Sequence, residues 1–81
     1  MTIEEAATAL RSALVRRGIA DKALIPELRL DTDLGLDSLA FVRLVMDLEE
    51  ATGLAIPDAL VATVETVGEL LAVLTEIRVG A

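Results

Sequence analysis

Apolar residues recur every three or four positions at the beginning of the chain, a spacing that predicts an amphipathic helix. Thr2 and Glu5 are spaced as a capping box, in which each side chain accepts a hydrogen bond from a free backbone N–H. Arg17 and then Gly18 are typical of a helix end. The first helix is therefore predicted over residues 3–17. Its stripe consists of Ile3, Ala6, Ala7, Leu10, Leu14 and Val15.

The same signals occur at the other end of the chain. Thr66 and Glu69 form a second capping box, and an apolar stripe runs from Val67 to Ile77 before the helix frays near Gly80. A third segment lies between the two ends, beginning at Asp37 and ending before Gly53. If it is drawn as a helix, its polar side chains occupy only a narrow arc. Such a wide apolar arc predicts a central helix that other elements contact from two or more sides.

Two further segments complete the predicted fold. Pro57 suits the first turn of a short third helix over residues 58–62. Residues 19–36 contain Pro26 and show no sustained period, but they include several leucines, so we expect an ordered loop packed over the helices, with a short helical turn around residues 23–28. The sequence predicts an all-α, antiparallel four-helix bundle with three longer helices, in one domain spanning residues 1–81.

The composition limits the chemistry of this 81-residue chain. It contains no Cys and no His, which excludes disulfides, Cys or His metal sites, and any nucleophile activated by a His within the chain. An enclosed active site is also unexpected in so small a domain. We therefore expect no catalytic residue and no metal site, and a protein that is not an enzyme.

The charge is acidic overall and unevenly distributed. The net charge is -7, made up of +1 in residues 1–30 and -8 in residues 31–81. An acidic surface repels nucleic acids and anionic lipids, so neither partner is expected, and a basic protein partner is favoured. No apolar run approaches the roughly 20 residues that span a bilayer, and the first 20 residues do not resemble a signal peptide. A cytoplasmic location is expected.

One short motif could carry chemistry, where the long loop meets the central helix. Asp37 and Ser38 are residues that helix starts prefer, so both could serve only as capping residues. Ser38 has no general base, and hence it could act as a substrate but not as an activated nucleophile. A phosphate ester on Ser38 would lie at a helix N-terminus, where free N–H groups and the helix dipole favour an anion.

The acids that precede this motif partly resemble a calcium-binding loop. Measured from Asp31, the position that must be Gly in an EF-hand holds Leu36, and the position of the bidentate Glu holds Val42. The pattern fails at both positions. The acids are better explained as caps or as a solvated surface.

Several blocks of the sequence resemble the acyl carrier proteins, a family that accepts 4'-phosphopantetheine. The matching blocks cover nearly the whole chain, and the Asp-Ser-Leu signature occupies the family's position relative to the others. They are residues 34–39 (LGLDSL), 44–50 (LVMDLEE), 56–58 (IPD) and 66–70 (TVGEL).

The resemblance implies a role for each residue of the signature. Ser38 would receive the arm from coenzyme A through a magnesium-dependent phosphopantetheinyl transferase, with Asp37 as the preceding acid associated with transferase geometry. Leu39 would contact partner enzymes or pack beneath the arm. Acyl groups would be carried as thioesters on the thiol of the arm and presented to partners such as an acyltransferase, an acyl- or aminoacyl-loading enzyme, or a ketosynthase.

Two positions depart from the pattern of the fatty-acid carriers, which usually have acids where this chain has Ala40 and Arg43. One interpretation is that Arg43 only pairs with Asp47 or Glu50 along the helix. The other is that Ala40, Phe41 and Arg43 form a docking surface for a dedicated partner in polyketide or other natural-product assembly. The docking residues are then predicted to be Ala40, Phe41, Arg43, Asp47 and Glu50.

Other identities remain open at this point. A fatty-acid carrier and a peptidyl carrier have the same fold and arm, although peptidyl carriers more often have Gly-Gly before the serine block, where this chain has Gly35, Leu36 and Asp37. A helical interaction module that never carries an arm is the alternative from another class. The start at Met1 and the short segment after the last helix favour a discrete carrier. We expect it to be a monomer.

Overall fold

The computed structural model describes residues 1–19 and 25–77, which contain four helices. These are α1 (Ile3–Arg16), α2 (Ser38–Thr52), α3 (Asp58–Val61) and α4 (Val67–Glu76). The predicted all-α four-helix bundle, with three longer helices and a short third one, is confirmed. Within the described residues, no helix is long and apolar enough to cross a bilayer.

Local capping residues set most of the helix ends. In α1, the Glu5 N–H donates to Thr2 Oγ1 (3.1 Å) and the Thr2 N–H donates to Glu5 Oε1 (2.9 Å). The hydrogen bond that the Thr2 backbone N–H donates to the Glu5 carboxylate, followed by one from the Thr2 side chain, holds the pKa of Glu5 below its ordinary value. Thr66 and Glu69 form the same box at the start of α4. Both predicted capping boxes are confirmed.

Small differences from prediction occur at two helix ends. α1 ends at Arg16, one residue before the predicted boundary, and the chain then turns through Gly18 at φ +78°. Pro57 caps α3 from an extended conformation and is not part of its first turn, and α3 ends at Val61 instead of Ala62. Since Ala62 still donates to the Asp58 carbonyl oxygen, α3 is a single closed turn.

The core lies where α1 packs against both α2 and α4, and α3 packs against α4. Leu10, Leu44, Leu48, Leu70 and Leu74 are completely or almost completely buried. They belong to the predicted apolar faces of the three longer helices, so the 3.6-residue period identified these interior positions correctly.

The loop before α2 packs as predicted, because Leu30, Leu34 and Leu36 are all buried. It also makes backbone hydrogen bonds with the start of α4. The Leu30 N–H donates to the Glu65 carbonyl oxygen (2.9 Å), and the Val67 N–H donates to the Leu28 carbonyl oxygen (2.9 Å). The loop is thereby fixed at the end of the bundle that carries Ser38.

The predicted helical turn around residues 23–28 falls partly on residues 23 and 24, which lie outside the described residues. Residues 25–28 form a hydrogen-bonded turn and not a helix, closed by the Leu28 N–H donating to the Ile25 carbonyl oxygen (3.0 Å). Ile25 itself is half exposed. Pro26 sits within this turn, where its fixed φ suits a turn and its missing N–H disfavours a continuing helix.

The wide apolar arc of α2 is not covered in the way that we predicted. α2 buries Leu44, Val45 and Leu48, and it packs against only one of the other helices, α1. On its outer side, Leu39 is 60% exposed, Val42 53% and Met46 59%. α3, at four residues, leaves these three side chains largely uncovered.

Candidate functional site

Ser38 is the first residue of α2 and its side chain is exposed. The residue before it, Asp37, caps the helix as predicted, because its Oδ1 accepts a hydrogen bond from the Ala40 N–H at 2.7 Å. The Asp37 carbonyl oxygen accepts the first helical bond, from the Phe41 N–H at 2.9 Å. Asp37 therefore holds Ser38 at the start of the helix and leaves its hydroxyl directed to solvent.

Some of the polar groups at this helix end have no hydrogen-bond partner among the described residues. Among residues 25–77, no hydrogen bond is found for the Ser38 hydroxyl or for the N–H groups of Ser38 and Leu39. The first turn of α2 also contains no acidic residue. Free N–H groups at the positive end of a 15-residue helix favour an anionic group on Ser38.

A cleft of about 220 Å³ opens beside Ser38. Its walls come from the loop before α2, from the first turn of α2 and from the segment before α4. Three charged side chains at this cleft, Arg29, Asp31 and Glu65, belong to one hydrogen-bonded group.

Arg29 joins the two sides of this cleft. Its Nε and Nη2 donate to Asp31 at 3.1 and 3.2 Å, and its Nη1 donates to Glu65 Oε2 at 3.2 Å. Hydrogen bonds to Asp31 raise the pKa of Arg29, and the hydrogen bond from Arg29 lowers the pKa of Asp31. The backbone N–H of Arg29 donates to Asp33 Oδ2 at 2.7 Å. The loop acids are therefore used in fastening the loop, and no metal-binding cluster is found among the described residues.

A second groove leads from Ser38 along the other side of Phe41, between α2 and α3. It has a volume of about 320 Å³ and a largely apolar lining that includes Val42, Val61 and Val64. Phe41 is half-buried, packs against the core and lines both the cleft and this groove. Phe41 thus has a packing role and also faces the space into which a group attached to Ser38 would extend.

The other predicted docking residues lie in different environments along α2. Ala40 is half-buried, Glu50 is exposed, and Arg43 is exposed with no ion pair to any described residue. Asp47 Oδ2 lies 2.8 Å from Nη2 of Arg17, at the end of α1. The suggested pairing of Arg43 with Asp47 or Glu50 is therefore not present.

Sequence reasoning missed three contributors to this region. It assigned Arg17 only to the end of α1, because nothing local indicates a partner 30 positions away on α2. It placed Val42 and Met46 on the wide apolar arc of the central helix, without separating covered from exposed positions. Their spacing from Leu39, three and seven residues, would have shown that all three share one face.

Comparisons with known proteins find similarity over most of the chain. The family model for the phosphopantetheine attachment site matches residues 8–74. An acyl carrier protein of Lactobacillus johnsonii is 40% identical over 70 residues, which are 85% of this chain and 88% of the relative. An acyl carrier protein of Rubrobacter xylanophilus is 43% identical over 54 residues, which are 67% of each chain.

Proposed function

The chain belongs to the acyl carrier protein family, and from that membership we propose that Ser38 is the residue that carries its 4'-phosphopantetheine arm. The observation that carries this proposal is the position of the Ser38 hydroxyl. It is exposed at the N-terminus of α2, between a polar cleft and an apolar groove. It forms no hydrogen bond to a described residue.

The residues present fit a group linked through a phosphate. An ester on Ser38 Oγ would place its negative charge beside the N–H groups of Ser38 and Leu39, which have no other partner within the described residues. Asp37 keeps this helix end in place through the Ala40 N–H. The cleft and the groove leave space on either side of Phe41.

Attachment requires help from a transferase. As Ser38 Oγ forms its bond to the phosphorus of the arm, the pyrophosphate bond of coenzyme A breaks and the nucleotide portion leaves. The hydroxyl proton would go to a base that the transferase supplies, because this chain has no His and no general base hydrogen-bonds to the Ser38 hydroxyl among the described residues. When bound, the arm supplies the thiol that holds acyl groups as thioesters. The chain itself would carry the acyl group and present it to partner enzymes, and those enzymes would perform the catalysis.

We further propose that the carrier serves a specialised pathway, such as polyketide or aminoacyl-primed natural-product assembly. The supporting observation is that Ala40 and Arg43 replace the acids that fatty-acid carriers usually have on this helix. Its partners would be a loading enzyme and a ketosynthase or related enzyme that contacts α2 at Ala40, Phe41, Arg43, Asp47 and Glu50. A fatty-acid carrier is the alternative, and a series of saturated fatty acyl groups on the protein isolated from its native cells would favour that alternative.

Attachment at Ser38 is tested by incubating the chain with coenzyme A, magnesium and a promiscuous phosphopantetheinyl transferase. We expect the mass of the wild-type protein to increase by one arm and the mass of the Ser38→Ala variant to stay unchanged. Ser12→Ala, which alters an exposed serine on α1, is the matched control and should be modified like the wild type. An unmodified wild type would support the helical interaction module instead, and a modified Ser38→Ala would place the arm elsewhere.

A further inference from the structure

Exposure and charge along α2 indicate the chemistry of the surface that docks there. We infer that the outer face of α2, defined as Leu39, Val42, Arg43 and Met46, binds a partner protein that presents a carboxylate within an apolar groove. Arg43 is the anchor for that carboxylate. The inference rests on the proposed carrier function for the identity of the partner as an enzyme, but the surface chemistry follows from α2 itself.

The apolar part of the outer face is a row of exposed side chains. Leu39, Val42 and Met46 are three and then four residues apart, so they line up along one side of the helix. More than half of each side chain's surface remains exposed, and none of the three belongs to the core. Exposed apolar side chains gathered in one place mark interaction sites more often than scattered ones do.

Arg43 lies within this row. It is one turn from Leu39 in one direction and from Met46 in the other, since residues three and four apart are neighbours on a helix. Its side chain is exposed, and it has no ion pair to a described residue that would need to be broken on binding. Arginine with apolar neighbours is a composition enriched at the centres of protein interfaces.

The acids of α2 do little to offset this positive charge. Asp47, one turn beyond Arg43, is paired with Arg17 at 2.8 Å. Glu49 Oε2 accepts a hydrogen bond from the Ile56 N–H at 2.9 Å, which directs it towards the segment after α2. Glu50 is exposed on the same side of the helix, four residues after Met46, but it lies about 10 Å further along the helix axis than Arg43. Asp58 lies across the groove on α3.

The sign of the partner surface follows from this arrangement. The chain as a whole has a net charge of -7 and would attract a basic surface, yet a lysine placed on the outer face would meet Arg43. A carboxylate at that point would form an ion pair surrounded by apolar side chains, where water and salt screen it less than on an open surface. We therefore favour an acidic group set in an apolar groove over the basic partner that the net charge suggests.

The test uses two synthetic amphipathic helical peptides as probes, with identical leucine faces flanked by Glu in one and by Lys in the other. Each is titrated into the ¹⁵N-labelled chain at roughly 0.3 M salt, where the Debye length is well below 10 Å and the overall charge acts little. We expect the Glu peptide to shift the amide signals of residues 39–46 and to bind about fivefold more tightly than the Lys peptide. Arg43→Glu should reverse that order.

Arg16→Glu is the matched control, because it changes the net charge equally at an exposed position of α1, and it should leave the preference unchanged. Equal or tighter binding of the Lys peptide at residues 39–46 of the wild type would overturn the inference. So would shifts confined to other helices, or concentration-dependent shifts at residues 39–46 without peptide, which would identify a second copy of the chain as the occupant. Arm attachment at Ser38, measured by mass on the same samples, fails or succeeds independently of these outcomes.

Discussion

At the scale of single residues, Arg29 does most to shape the cleft beside Ser38. Its guanidinium holds Asp31 of its own loop and Glu65 of the segment before α4, and so it fastens two segments 36 residues apart. All three side chains are largely exposed, which limits the contribution of each ion pair to the free energy of unfolding. The main effect of these ion pairs is to fix the position of the loop relative to the start of α4.

Asp31→Asn should make the acid side of the stability profile flatter. Because Arg29 lowers the pKa of folded Asp31, this carboxylate stabilises the fold above the ordinary Asp pKa of about 4. That stability is lost as the pH falls through the lowered pKa. Urea midpoints measured from pH 7 to pH 3 should therefore fall less steeply in the variant than in the wild type.

Asp58→Asn is the control for that experiment, since it removes an exposed acid outside the Arg29 group. A variant Asp31→Asn whose midpoints follow those of the wild type at every pH would show that the ion pair does not form in solution.

Residues that act through neighbours in sequence were predictable, whereas residues that act across the fold were not. Asp37 and both capping boxes depend on hydrogen bonds spanning three residues, and the sequence contains both partners of each bond. The pairs Arg17–Asp47 and Arg29–Glu65 depend on how the helices and loop pack. Charge alone could not select these partners, because 14 acids are available to 7 bases.

At the scale of elements, the approach of the loop to α4 is set by Gly68. This residue is the second of α4, and its N–H donates to the Pro26 carbonyl oxygen at 3.0 Å. A Cβ at position 68 would lie 3.0 Å from Pro26 Cβ and 3.1 Å from the Pro26 carbonyl oxygen. The absence of a side chain therefore allows the two backbones to approach each other.

Gly68→Ala should destabilise the protein by about 1 kcal/mol, although alanine is the better helix former by a similar amount. The added methyl group would push the backbone of Pro26 away and weaken the hydrogen bonds between loop and helix. Chemical denaturation measures the change in the free energy of unfolding.

The reverse substitution, Ala72→Gly, at an exposed position of the same helix, is the control. It measures how much helix propensity alone changes the free energy of unfolding. If Gly68→Ala stabilised the protein by as much as Ala72→Gly destabilised it, the close approach of the loop would impose no constraint.

Periodicity gave the elements and their inward faces, but it could not show which outward faces remain open. The buried residues of α4 follow their predicted stripe. In α1 the stripe is correct at its centre, but Ala13 is buried outside it, and Ile3 and Val15 at its ends are exposed. In α2 the apolar arc was too wide for the packing available, and its excess proved to be the exposed row at Leu39, Val42 and Met46. The two cavities beside Ser38 depend on the loop path and on the length of α3, neither of which has a sequence period.

At the scale of the whole molecule, the net charge of -7 is carried on a chain of 81 residues whose described part contains no buried charged side chain. Acidic residues outnumber basic residues two to one, so the carboxylates on the surface of the folded chain repel one another. Its ion pairs are few and mostly exposed within the described residues. Repulsion among the surface acids should therefore outweigh the attraction within these pairs.

The melting temperature should accordingly rise by several degrees as sodium chloride is increased from roughly 10 mM to 300 mM, because salt shortens the Debye length from about 30 Å to well below 10 Å. Differential scanning calorimetry measures the shift, and sodium sulfate at equal ionic strength separates screening from the stronger effect that sulfate has on apolar burial. A falling melting temperature would mean that the few ion pairs dominate.

The open outer side of α2 also bears on how such a carrier can change. Its inward residues Leu44, Val45 and Leu48 are constrained by the fold, while Leu39, Val42 and Met46 are not part of the core. Mutations can therefore accumulate on one side of the helix without unfolding the domain. Several carriers in one cell could keep the same scaffold and avoid each other's enzymes through a few substitutions on that side, and an engineer could redirect a carrier by the same means.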